Sequence, residues 1–445
     1  MRRLRFSTLV AIGWVLIAAL LVGAEVLLNV TAMPPSGKTV VTVRLWDQQV
    51  AKAYRQSFAA FTRMHPDIEV HTDVVSYSTY FNTLRTDVAG GSADDIFWIS
   101  NAYLSEYADS GRLMDIGENL RTSAAASWEP SVVEQFTRMG TLWAVPQLTD
   151  AGIALYYNAD LLAAAGVNPA DLAALRWSPD GGDTLRPLLT RLTVDANRRT
   201  PATPGFDALR VRQWAYNAAN DAQSIYLNYI GSAGGVFQDG DCFAFDNPGA
   251  IEAFSYLVRL INDDHVAPPA SDTNDNGDFS RNQFLAGKMA LFQSGTYNLA
   301  AVAAQANFRW GVAMLPQGPK GRVTVTNGIA AAGNAASAHP DAVRQVLAWM
   351  GSSEGNQYVG RHGGAIPAVR SAQGAYFDYW AAKKVDVRPF FAALNGAQID
   401  APGGPSFAAG NLVIKPYFDE MFMRRSDVST TLHRAQQAAN AATCR

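Results

Sequence analysis

The chain has 445 residues and a net charge of −3, and 17% of its residues are charged, below the quarter or so usual in soluble domains. This balance excludes nucleic acid as a partner, because phosphate binding needs a clustered cationic excess that the sequence lacks. The length exceeds one ordinary domain and predicts two or more lobes, and aromatics at 11% supply planar apolar surfaces.

Residues 1–32 stand apart. Arg2, Arg3 and Arg5 precede an apolar run from Leu9 to Ala24 that is first broken by Glu25, the pattern of an export signal. Val30-Thr31-Ala32 offers a small-residue cleavage site, followed by the linker Met33-Pro34-Pro35-Ser36-Gly37. The run is long for a signal core and short for a full span, so a cleaved signal and an uncleaved anchor with its arginines inside both stay open. With no cysteine nearby, a lipid-modified cysteine anchor is excluded. Cys242 and Cys444 are the two cysteines, and in an exported chain they can pair and tie the C-terminus to an interior loop. Two distant cysteines and six scattered histidines argue against zinc or thiol chemistry, and no cofactor is expected.

Val40 to Leu45 alternates as a strand that ends in Trp46-Asp47-Gln48-Gln49, and apolar positions then recur at helical spacing through Tyr54, Phe58 and Phe61. His65-Pro66-Asp67 stops that helix, Ile68 to Val75 is a second strand, and Tyr77 to Val88 a second helix closed by Gly90-Gly91. The short run Ile96 to Ile99 is a third, buried strand, followed by a helical pattern from Ala102. This is a βαβαβ sheet with right-handed crossovers. Ligands of open α/β sheets bind beyond the carboxyl ends of the strands, which here carry Trp46, Asp47 and Gln48, then Tyr77, then Trp98 and Asn101. Trp46 and Trp98 also fit plain core positions.

Leu142 to Asn158 reads as a strand that crosses between lobes, with Asp150 at the crossing. An Ala-rich helix (159–166), a loop carrying Trp177, and a helix from Leu185 to Leu192 follow. Trp214 to Tyr229 is predicted helical, and Asn247-Pro248 caps a helix from Ala250 to Ile261. Met289 to Phe292 is a strand before the turn Ser294-Gly295-Thr296-Tyr297. Val323 to Ala332 is another, interrupted at Asn327-Gly328, and Asp341 to Met350 is an amphipathic helix. Arg361 precedes the turn at Gly363-Gly364, and the rest is helical to the C-terminus.

Several stretches in fixed order resemble the extracellular solute-binding proteins of ATP-driven carbohydrate importers, the maltose-binding-protein-like family. They are Asp95-Ile96-Phe97-Trp98 with Tyr107-Ala108-Asp109-Ser110-Gly111-Arg112-Leu113, Pro146 and Asp150 before Leu155-Tyr156-Tyr157-Asn158, Phe284 with Gly287-Lys288, Gly295 with Tyr297, Asn327-Gly328-Ile329-Ala330, and Gly364 to Pro367. The resemblance implies a two-lobe α/β fold of the type II periplasmic-binding-protein class, with a hinge and a central cleft. It places residues 38–149 plus 326–353 in one lobe and 150–325 plus 354–445 in the other. It implies a monomeric, extracytoplasmic binder, not an enzyme, that passes a carbohydrate to membrane permease subunits.

By the same resemblance Trp98 is an aromatic platform, Asp150 a sugar-binding acid at the hinge, and Tyr297 a stacking residue of the far wall. Trp46, Asp47, Gln48, Tyr77, Asn101, Trp177, Asn327, Gly328 and Arg361 complete the candidate ligand set. Asn101 stands where the maltose-binding pattern has a carboxylate, so the expected ligand is not maltose. The acidic pair Asp47 and Asp150 suggests an amino sugar or a cell-wall-derived saccharide. Two alternatives remain: a glycerophosphodiester, which needs a cation such as Arg361, and an exported glycoside hydrolase, suggested by Asp94 and Asp95, although adjacent strand residues face opposite ways. Asp272 to Asp278 has calcium-loop spacing, but its twelfth position is Gln283 and not a bidentate glutamate.

Overall fold

A computed structural model describes residues 37–444 except 119, 121–124, 395, 400 and 406. The export segment at 1–32 lies outside the described residues. Six strands form the first sheet, in the spatial order Ile366–Pro367, Val145–Thr149, Gly328–Gly333, Ile96–Ser100, Thr39–Leu45 and Ile68–Val74. The last three pair in parallel through the helices Gln48–Met64 and Tyr77–Gly90, as the periodicity predicts. Gly91 ends the second helix at φ +73°, a left-handed conformation that costs glycine little.

The other lobe is built on three antiparallel strands, Leu291–Gly295, Ile153–Asn158 and Trp310–Ala313, surrounded by helices. Two large cores follow. One runs from Val41 to Leu148 and resumes at Ala330; the other joins Ile153 to Leu315 with the C-terminal helices Phe407–Phe422 and Val428–Thr443. The first core also takes in Val359, Val369 and Ala372, and Ser57 Oγ donates to Gly355 O at 2.8 Å. The helix Ser353–Arg361 therefore packs on the first lobe, which corrects the boundary expected at 353.

The helix expected over Trp214 to Tyr229 breaks in two. Trp214 N–H bonds Lys288 O, and Ala215 and Tyr216 both donate to Val266 O, so this stretch is held extended beside other chain segments. Helix begins only after Asp221, whose side chain accepts from Ser224 N–H. Its first turn, Ala222–Tyr226, is π-helical, with Tyr226 N–H returning five residues to Asp221 O at 2.9 Å. Pairing with neighbours outweighs a helical pattern that is indifferent to them.

Cys242 and Cys444 are joined, 202 residues apart, fastening the C-terminal helix to the hairpin Gln238–Phe243. Asn440 bonds both N–H and C=O of Phe243 across the same contact. Chain entropy gives roughly 5 kcal/mol for closing so long a ring. Cys444→Ser should therefore lower the guanidinium unfolding midpoint, with the shift abolished when both proteins are measured in reductant; equal midpoints without reductant would contradict this.

Candidate functional site

The site is organised by the ribbon that joins the lobes. Val145–Thr149 and Gly328–Gly333 pair antiparallel, Thr149 opposite Gly328, and just beyond them Asp150 N–H donates to Asn327 O at 3.0 Å. Opposed residues share a face and successive ones alternate. A Cβ on Gly328 would strike Val132 and Gln135 of the helix Pro130–Gln135, so Gly328 and Thr149 face that helix. Asp150 and Asn327 face the other way.

On that face an acidic floor assembles. Burial drives the Asp150 carboxyl up to about 7, against the lowering effect of Gln223 Nε2, which donates to its Oδ2 at 2.8 Å. Asp221 is raised as well, again by burial, while its Oδ1 accepts from Ser224 N–H at 2.8 Å. Ser224 Oγ lies 2.8 Å from Tyr297 Oη, which puts Tyr297, 37% exposed, on the same floor. The phenol of Tyr297 is raised by burial and then by Asp221. Tyr77 reaches in from the first lobe. It is 61% exposed, and desolvation first, then Tyr103, Asp221 and Asp150, raise the pKa of its phenol. Asn327, whose carbonyl accepts from Asp150 N–H, carries a buried Oδ1 with no partner among the described residues. Among those residues no lysine or arginine pairs with Asp150 or Asp221.

The first-lobe wall is aromatic. Trp46, half-buried, meets Tyr77, Tyr80, Phe81 and Trp98 at centroid distances of 5.7, 4.8, 5.5 and 4.9 Å. These contacts fix the indole edge-on to its neighbours, and each aromatic pair adds about 0.5–1.5 kcal/mol beyond area burial. Behind it Trp98 is fully buried, its Nε1 donating to Tyr54 Oη at 3.3 Å. The platform expected at Trp98 is therefore corrected: its side chain is sealed in the core and supports Trp46.

Other candidates also move. The Asp47 carboxylate caps the helix Gln48–Met64, accepting from Gln49 and Val50 N–H at 2.7 and 3.0 Å, so it is committed to local structure, although burial raises its pKa. Gln48 is exposed on the first turn of that helix. Trp177 is 2% exposed and its Nε1 donates to Ser232 Oγ at 3.2 Å, which makes it core and not a cleft wall. Gly328 is sterically required beneath Gln135, whose Oε1 accepts its N–H at 2.6 Å. Asn101 lies on the Gln135 side of the ribbon, away from Asp150, with Nδ2 donating to Ala401 O at 3.4 Å. Arg361 is exposed at a helix end, 6.0 Å from the Tyr358 ring.

Asp221, Gln223 and Ser224 escaped the sequence reading because they lie where one continuous helix was expected. The available signal was Asp221 itself, an N-cap residue type two positions before Gln223. The acids Asp94 and Asp95 serve structure: Asp94 accepts from Arg44 Nε at 2.6 Å and Asp95 from Thr42 N–H at 2.9 Å. Among the described residues no group of three or more His, Cys, Asp or Glu side chains could hold a metal ion.

Residues 46–357 match the profile of the bacterial extracellular solute-binding protein family. A probable ABC transporter-binding protein of Deinococcus radiodurans is 26% identical over 305 residues, 67% of each chain. A putative binding protein of Brucella abortus is 23% identical over 68% of this chain and 69% of its own. Among solved structures, UspC of Mycobacterium tuberculosis is 76% identical with a TM-score of 0.72, over 91% of this chain and all of that one. A Listeria monocytogenes ABC substrate-binding protein in complex with cycloalternan shares the fold at TM-score 0.77 and 18% identity, over 91% and 99% of the two chains. The chain thus belongs to the bacterial extracellular solute-binding protein family.

Proposed function

We propose that the ligand is a saccharide carrying a protonated amine, an amino sugar or a cell-wall-derived fragment, held outside the cytoplasm between Trp46, Tyr77, Asp150, Asp221, Tyr297 and Asn327. The observation that carries this reading is the pair Asp150 and Asp221, two desolvated carboxylates with no cationic partner among the described residues. Burying carboxylates without compensation is costly, and an ammonium group that bonds them is the complement they lack. Tyr77 and Tyr297 offer planes for the C–H face of a pyranose, one from each lobe.

A ligand that touches both lobes binds their closed arrangement better and shifts the population towards it. The reading takes the chain to act as a monomer that delivers its sugar to permease subunits and carries out no catalysis. A glycerophosphodiester is poorly supported, since among the described residues no lysine or arginine pairs with Asp150 or Asp221. A hydrolase is poorly supported too, since Asp94 and Asp95 are engaged in the fold.

Three outcomes test the reading. A charge-assisted hydrogen bond is worth about 1.5–3 kcal/mol, so Asp150→Asn and Asp221→Asn should each weaken glucosamine binding roughly 10- to 150-fold in calorimetry, with little change for glucose. Equal affinity of the wild type for glucosamine and glucose would refute the amine. Because Asp150 must ionise to hold the amine, affinity for glucosamine should rise from pH 5 to 7, with proton release measurable in buffers of different ionisation enthalpy. In the unliganded protein the raised carboxyl contributes stability that is complete below about pH 4 and is lost as the pH climbs through 7. Asp150→Asn, which does not titrate, should therefore gain thermal stability relative to the wild type across that interval; a constant difference would show an ordinary carboxyl.

A further inference from the structure

On the opposite face of the hinge ribbon lies a cavity of about 700 Å³ lined by both lobes. Gln135 marks its place. That side chain bonds Gly328 N–H and Thr326 O, and Thr326 Oγ1 donates to Gln398 Oε1 at 3.2 Å, all on the face turned away from Asp150. None of Tyr77, Asp150, Asp221 and Tyr297 lines it.

Its chemistry differs from that of the acidic floor. Its ionisable lining residues are Arg138 and Asp241, of opposite sign, and the Arg138 guanidinium is already clamped by both Asp109 oxygens at 2.5 Å. The remaining polar lining is amide and hydroxyl, Asn101, Gln135, Gln238 and Gln398 among it. At the mouth stand two exposed apolar side chains, one from each lobe: Met139, 87% exposed, and Val236, 48% exposed. Met139 is held there at φ +50°, an uncommon conformation for a residue with a Cβ. The hairpin wall that carries Gln238 and Asp241 is fixed by the Cys242 to Cys444 disulfide, and Gln238 exchanges two hydrogen bonds with Gly403, closing the wall on the neighbouring segment.

We propose that this cavity is a second small-molecule site, shaped for a neutral polyhydroxylated molecule of saccharide size and separate from the acidic site. The volume falls within the roughly 300–1,000 Å³ of small-molecule pockets. A neutral polyol suits balanced charge and amide edges, and the C–H face of a sugar ring suits Met139 and Val236. The inference stands beside the amino-sugar reading and does not depend on it.

The probes are maltose and cellobiose, followed by the methyl resonance of ¹³C-labelled Met139 and by calorimetry. The Met139 signal should shift with at least one of these sugars in the Asp150→Asn/Asp221→Asn double variant as in the wild type, with affinities within twofold of each other. Met139→Glu, at an exposed turn that tolerates substitution, and Gln398→Ala should each weaken that disaccharide at least fivefold while leaving glucosamine binding unchanged. No shift of Met139 at millimolar sugar, or disaccharide binding that disappears with the two aspartates, would overturn the second site. Failure of glucosamine to bind anywhere would sink the amino-sugar reading alone.

Discussion

The structure turns on one backbone hydrogen bond and the pairing that leads to it, Asp150 N–H to Asn327 O at the end of the ladder between Val145–Thr149 and Gly328–Gly333. Two crossings of the chain run side by side there. Because side chains alternate along each strand, the same register that seats Gly328 under Gln135 turns Asp150 and Asn327 to the opposite face. A slip of one residue would exchange the two faces and empty the acidic floor. The glycine is thus a condition for the aspartate: any Cβ at position 328 would meet Val132 Cγ1 at 2.6 Å and displace the ribbon.

Around that ribbon the two lobes contribute different things. The first supplies a rigid aromatic wall, in which buried Trp98 and Tyr80 hold Trp46 from behind and Tyr80 Oη ties the stack to Trp98 O at 2.9 Å. The second supplies charge and hydrogen-bonding groups from a π-helical turn, where the wider spacing aims Gln223 at Asp150 and Ser224 at Tyr297. π-turns recur at functional sites because they redirect side chains that an α-helix would place elsewhere. The turn itself is anchored from below: Gln293 Nε2 donates to Ser224 O and Tyr216 Oη donates to Gln293 Oε1. Plane and charge thus come from opposite sides of a gap, so a sugar that uses both must bridge the hinge.

The hinge ribbon also separates two environments of opposite electrostatic character. Its Asp150 face gathers carboxylates with no cation among the described residues, while its Gln135 face opens on a cavity with balanced charge. Both are bordered by side chains of both lobes.

Much of this was legible in the residues. The period-2 and helical patterns from Val40 to Ile99 predict the parallel strands and their helices, and Asp150 and Tyr297 stand out because Pro146 to Asn158 and Gly295 to Tyr297 carry a recurrent family pattern. These features depend on local periodicity and residue order, which a chain displays before it folds. The burial of Trp98 and Trp177 and the turn of Asn101 to the far face were decided only in three dimensions. Each depends on which distant group arrives: Tyr54 at Trp98, Ser232 at Trp177, Ala401 at Asn101. Asp221 is the sharpest instance, since the extended stretch before it exists only because Lys288 and Val266 come to accept its hydrogen bonds. Sequence alone determined most elements and brought Asp150 to notice; the long-range contacts decided which side chains stand beside that acid.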